Sequence, residues 1–165
     1  MNDRIALTIA LLLASATTVS SATPVEITTA DQEAVEQCIH AQLGSSRSAD
    51  GQPVAEYQAA RRIVAGSGPR ALLALQYTIE TGNSWQIYIA LFDRSTHRLL
   101  ASGRVGGKAY REVSITSIAE GGVELEASYY APQDGLCCPS IRGTSFIGMR
   151  EGHLWETNMR ISSPR

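Results

Sequence analysis

From Ala59 to Thr157 the sequence falls into apolar, strand-length segments separated by very short reversals: Gly66 to Pro69, Thr81 to Ser84, Asp93 to His97, Glu120 to Gly122, and Glu151 with Gly152. A crossover helix needs about a dozen residues or more, so connections this short require neighbouring strands to run antiparallel. The alternation within the segments says which faces they bury. Leu73, Leu75, Tyr77 and Ile79 share one parity, as do Trp85, Ile87, Ile89 and Leu91 against Gln86, Tyr88 and Ala90. Val123, Leu125, Ala127 and Tyr129 alternate with Glu124, Glu126 and Ser128, the pattern of a strand with one solvated face. Gly106-Gly107-Lys108 interrupts the strand Leu99 to Val105 as a bend or bulge, after which Val113 and Ile115 begin another strand. A last hairpin joins Thr144–Arg150 to His153–Thr157, and the polar tail from Asn158 to Arg165 is predicted to fray.

Ahead of these strands lies one helical segment. Thr29 and Gln32 have capping-box spacing, Asp31 and Glu33 place negative charge in the first turn, and Gly44 follows the last periodic residue, which predicts a helix from about Ala30 to Leu43. Val35, Cys38, Ile39 and Leu43 form a single apolar stripe of helical period, so Cys38 is expected to face the core. The fold class that follows is α+β: an N-terminal helix packed on a curved, mostly antiparallel β-meander or partly closed barrel. At 165 residues this makes one domain, residues 23–165.

Residues 1–22 read as a secretory signal peptide. Arg4 supplies the positive start, Ile5 to Ala14 is an apolar run too short to span a bilayer, and Ser20 with Ala22 fit a signal-peptidase site before Thr23; Ala14 and Ala16 offer an earlier one. No later stretch is long and apolar enough to span a membrane. The expected location is the periplasm or the exterior, where cysteines are read first as disulfide partners. The chain holds three, Cys38 and the adjacent Cys137 and Cys138. A bridge from Cys38 to Cys137 or Cys138 is expected, with one thiol left over; closing so long a loop is worth about 4–5 kcal/mol in the chain-entropy picture. A vicinal Cys137–Cys138 bridge is the strained alternative.

The charge pattern mainly excludes functions. A net charge of −2 and the lack of a basic stripe or recognition motif argue against nucleic acid. His40, His97 and His153 are isolated, so no metal site is expected. No G-x-S-x-G elbow and no phosphate loop are present, and Glu124 with Glu126 on a wet face read as solvating charges, so no catalytic residues and no cofactor are expected. The candidate binding surface is Arg104, Lys108, Tyr110 and Arg111, a small basic patch suited to an acidic partner or an anionic glycan.

Leu75-Gln76-Tyr77-Thr78-Ile79-Glu80, Val105-Gly106-Gly107-Lys108, Tyr130-Ala131-Pro132 and Cys137-Cys138-Pro139-Ser140, downstream of a signal peptide, together resemble a group of uncharacterised secreted bacterial proteins with a Cys-Cys-Pro-Ser motif. The same motif is loosely similar to that of LppP/LprE-type lipoproteins. The resemblance covers about Ala71 to Trp155 and implies an envelope location and a fold, with no activity to transfer. An aspartate- and glycine-rich calcium loop found in such proteins is replaced here by Gly66 to Pro69, so calcium is not implied. The expected function is that of a non-catalytic module binding an envelope protein or glycan; the alternative is a periplasmic inhibitor or immunity protein against a cell-wall-degrading effector.

Overall fold

The structure, a computed structural model, describes residues 25–44, 56–68, 70–81, 83–135 and 138–162. One helix, α1 (Thr29–Gly44), precedes eight strands: β1 (Glu56–Ala65), β2 (Leu72–Thr81), β3 (Ser84–Asp93), β4 (Arg98–Gly107), β5 (Arg111–Ala119), β6 (Gly122–Tyr129), β7 (Ile141–Arg150) and β8 (His153–Ile161). The strands form one sheet in chain order, each antiparallel to the next. The expected signal peptide and Cys137 lie outside the described residues.

The sheet curls but does not close. Within it β1 pairs with β2 alone and β8 with β7 alone. Between β4 and β5 the ladder narrows to one registered pair, Gly107 with Arg111, which divides the meander into halves β1–β4 and β5–β8. The halves face each other, with β4 beside β8 and β1 beside β5. Register shifts at Gln58/Arg61, Ile87/Tyr88, Leu91/Phe92, Ile115/Ser117 and Thr144/Phe146 supply the bulges that increase local twist and let so long a meander fold over. Beyond the narrow point a side chain ties β5 back to the first half. Gln76 on β2 donates from Nε2 to the Val113 carbonyl (3.1 Å) and accepts the Ile115 N–H at Oε1 (2.8 Å), so its amide pairs with β5 as a strand residue would.

Two hydrophobic clusters follow from the alternation. Ala74, Ile87, Ile89, Leu91, Val105, Val113, Ile115, Val123, Leu125, Ala127 and Ile147 fill the space between the halves. The opposite faces of β2 and β3 supply Leu73, Leu75, Tyr77, Ile79, Ala90 and Phe92, and these are buried in one cluster with Val35 and Ile39 of α1; Cys38 and Leu43 pack at its margin. That is why Leu72–Leu75 and Ile89–Phe92 are buried at both parities, whereas β6 keeps Glu124 and Glu126 exposed. Burial also pushes the Cys38 thiol and the Tyr77 hydroxyl to higher pKa.

Two expectations need correction and a third is resolved. The capping box is one residue earlier than its sequence spacing suggests: the Thr28 N–H donates to Asp31 Oδ2 (2.9 Å) and the Asp31 N–H to Thr28 Oγ1 (3.2 Å). The segment after Asn158 does not fray at once, because β8 continues to Ile161 and the Ser162 N–H reaches the Arg142 carbonyl (2.8 Å). Of the two readings of Gly106-Gly107-Lys108, the bend holds: Lys108 to Tyr110 turn the chain from β4 into β5, and the register shift at Ile87/Tyr88 leaves Val105 unpaired just before it. Gly107 has φ 141°, where a side chain is strained, and a Cβ there would lie 2.6 Å from the Trp85 carbonyl oxygen.

Candidate binding face

Arg111 organises the β4–β5 turn. It has the parity of Val113 and Ile115, so the strand aims it between the two halves, where only 2% of it is exposed. A guanidinium in that position must find a full set of acceptors. Nε donates to the Val105 carbonyl (2.6 Å), Nη1 and Nη2 form a fork with Glu156 Oε1 (2.6 Å) and Oε2 (2.9 Å), and Nη1 also donates to the Tyr129 hydroxyl (3.2 Å). The fork joins β5 to β8 and, through Val105, to β4. Burial by itself would raise the Glu156 pKa, but the Arg111 guanidinium outweighs it and holds the carboxylate below its ordinary value. Tyr110 and Tyr129 lie against the cation, with ring centres 5.1 and 5.7 Å from its central carbon.

This buried pair supports an exposed surface. Tyr110 is 48% exposed, and the Arg104 guanidinium lies 5.8 Å from its ring centre. Arg104 is itself steadied by a hydrogen bond from Nε to the Gly106 carbonyl (3.1 Å). Val105 packs in the cluster between the halves and Glu156 is bound by Arg111, so the preceding residues, Arg104 and Trp155, point to the outer faces of β4 and β8, strands that lie beside each other. Trp155 is 53% exposed and has the Arg150 guanidinium 5.8 Å from its ring; Met159 and Ile161 continue the exposed apolar surface of β8.

Of the four residues read as a basic patch, the structure brings all to one turn but leaves only some of them available. Arg104 and Tyr110 are exposed, Lys108 spends its ammonium on the Asn83 carbonyl (2.5 Å), and Arg111 is neutralised inside. The patch is therefore more aromatic and less basic than the sequence implied. Sequence reasoning missed Glu156 and Trp155. The signal was the parity of His153 to Thr157, which puts Glu156 on the same side as Leu154 and Trp155 opposite.

A second ionic cluster occupies the other end of β4, about 30 Å away along a ten-residue strand. Asp31, 1% exposed, accepts from Arg94 Nη2 (2.9 Å) and Nε (3.3 Å) and lies 3.0 Å from His97 Nε2. Arg94 also donates to the Glu26 carbonyl (2.6 Å) and the Gly66 carbonyl (3.0 Å), fastening the segment before α1 to the β1–β2 and β3–β4 turns. Burial pushes the Asp31 pKa up, yet Arg94, Thr28 and His97 together hold it far below the usual carboxylate range.

The Cys138 loop has a fastener that sequence reading overlooked. Asp134 Oδ2 accepts the N–H groups of Ala131 (2.7 Å) and Ser140 (2.8 Å) and the Ser140 hydroxyl (2.9 Å), and these bonds lower its pKa. Cys38 is half-buried on α1 and Cys138 is exposed. Among the described residues no His, Cys, Asp or Glu group is arranged to hold a metal ion, and no helix is long and apolar enough to cross a membrane. No family model matches this chain, nor does any curated protein or solved structure.

Proposed function

We propose that this chain is an exported, non-catalytic binding module that recognises a partner protein of the cell envelope through the Arg104–Tyr110–Trp155 face. The observation that carries the reading is Tyr110: an exposed ring held in place by a buried, carboxylate-locked arginine beneath it. Rigid aromatic side chains flanked by arginine and methionine are the composition of protein-interface centres, which favours a protein over a glycan. A pre-ordered ring also lowers the entropy cost of association. In this reading α1 packs across β2 and β3 as a cover, leaving the β4–β8 side open to the partner.

The same proposal includes export by residues 1–22, kinship with the secreted Cys-Cys-Pro-Ser proteins, and a bridge from Cys38 to Cys137 or Cys138. Mass mapping of the unreduced protein tests the bridge: Cys38 recovered as a free thiol would sink it. For the function, the mature chain is immobilised and challenged with solubilised envelope protein. A partner retained by the wild type and by Glu124→Ala, but lost with Tyr110→Ala and Trp155→Ala, is the expected result. Retention that ignores both aromatic substitutions, or no retention at micromolar concentration, refutes the assignment.

A further inference from the structure

The Asp31 cluster frames a groove on the β1–β5 side of the molecule. Arg94 holds one wall through the Glu26 carbonyl and the floor through the Gly66 carbonyl, and the Gly66 N–H is fixed by the Leu72 carbonyl (2.8 Å). The floor is close-packed: a Cβ at Gly66 would lie 3.3 Å from Ile118 Cγ2. Over it lies a groove of about 1020 Å³, lined chiefly by Ile27, Ile63, Val64, Leu72 and Ile118. Apart from Leu72 these residues are only half-buried: Ile27 and Ile63 edge the α1 cluster, Val64 and Ile118 edge the cluster between the halves, and the groove runs between them with aliphatic groups on both sides.

The charge in the groove is equally uneven. Arg70 is its one charged lining residue, is exposed, and has no carboxylate partner among the described residues, whereas Arg61, Arg94 and Arg111 each have one. The remaining polar groups of the lining side chains are the hydroxyls of Ser67, Thr116 and Ser117. An aliphatic trough with a single cation calls for a ligand with an apolar tail and one anionic head.

We infer that this groove binds a single-chain anionic amphiphile, with the acyl chain along Ile63 and Ile118 and the headgroup on Arg70. The site is independent of the Arg104–Tyr110–Trp155 face, so either assignment can fail without the other. The test is calorimetric titration of the mature chain with dodecanoate and with dodecyltrimethylammonium, each below its micelle threshold. Dodecanoate is expected to bind at least about tenfold more tightly, and Arg70→Glu to remove that preference while melting temperature and partner retention stay unchanged. Methyl shifts of Ile63 and Ile118 on addition of dodecanoate locate the tail. Equal affinity for the two headgroups, no binding of dodecanoate, or an Arg70→Glu variant that keeps the preference overturns the assignment.

Discussion

The two ionic clusters at the ends of β4 solve one problem in opposite ways. At the Asp31 end the buried hub is a carboxylate, and the cation that pairs with it remains within reach of water: the Arg94 side chain is 17% exposed. At the Arg111 end the buried hub is the cation, and its carboxylate, Glu156, is the partly exposed partner. Asp31 accepts from residues in two segments and also serves as a helix cap, so its loss is shared among several weaker contacts. Arg111 also donates to the Val105 carbonyl and the Tyr129 hydroxyl, but its one compensating charge is the Glu156 fork. Stability should therefore be more sensitive to the partner of the buried arginine than to the buried aspartate.

The comparison breaks most readily at Glu156. Glu156→Ala leaves an uncompensated guanidinium inside the fold and is expected to cost about 3–5 kcal/mol in urea unfolding, with much of it regained in the Arg111→Met/Glu156→Leu double variant. A cost under about 1 kcal/mol would mean that Arg111 finds other acceptors. Asp31→Asn retains a capping oxygen and leaves Arg94 open to solvent, so about 2 kcal/mol is expected. It also has a pH signature. Because folding lowers the Asp31 pKa, its contribution is fully present above the unfolded value near 4 and is lost as pH falls through the folded value, so Asp31→Asn should flatten the acid limb of the stability curve below about pH 4.

Smaller changes sharpen the contrast. His97 adopts φ 55°, a region asparagine tolerates, so His97→Asn isolates the loss of one hydrogen bond to Asp31 and should cost about 1 kcal/mol or less. Tyr110→Ala removes a cation–π contact at the surface and should change stability by less than about 1 kcal/mol while abolishing partner retention. A large loss of stability there would make Tyr110 a structural prop and not a contact residue.

How much of this was legible depended on whether the information was local. Helical period revealed Val35 and Ile39 on α1, strand parity both faces of β6, and turn chemistry the reversal at Glu120 to Gly122, because these signals are written in nearby residues. Arg111 has the parity of Val113 and Ile115, but the sequence pattern begins that strand at Val113 and the charge of Arg111 suggests the surface. Only Glu156, on a strand three elements later, makes its burial tolerable. Asp31 likewise gave no hint of its role, since Arg94 and His97 reach it across more than sixty positions. The capping box was misplaced by one residue because Thr28 and Thr29 both offer a hydroxyl, and it is the pairing with Asp31 that selects Thr28.

The single registered pair between β4 and β5 also bears on how the chain folds. Every rung joins consecutive strands, so the hairpins can zip locally at little loop-closure cost. At Gly107 that progression meets a gap, and Arg111 cannot be neutralised until β8 delivers Glu156, 45 residues further along. Until then Arg111 stays hydrated beside a half-built ladder, and the cost of dehydrating it falls on the step that brings in β8. The docking of the second half onto the first is thus the natural slow step, and substitutions at Glu156 should slow folding more than those at Tyr110.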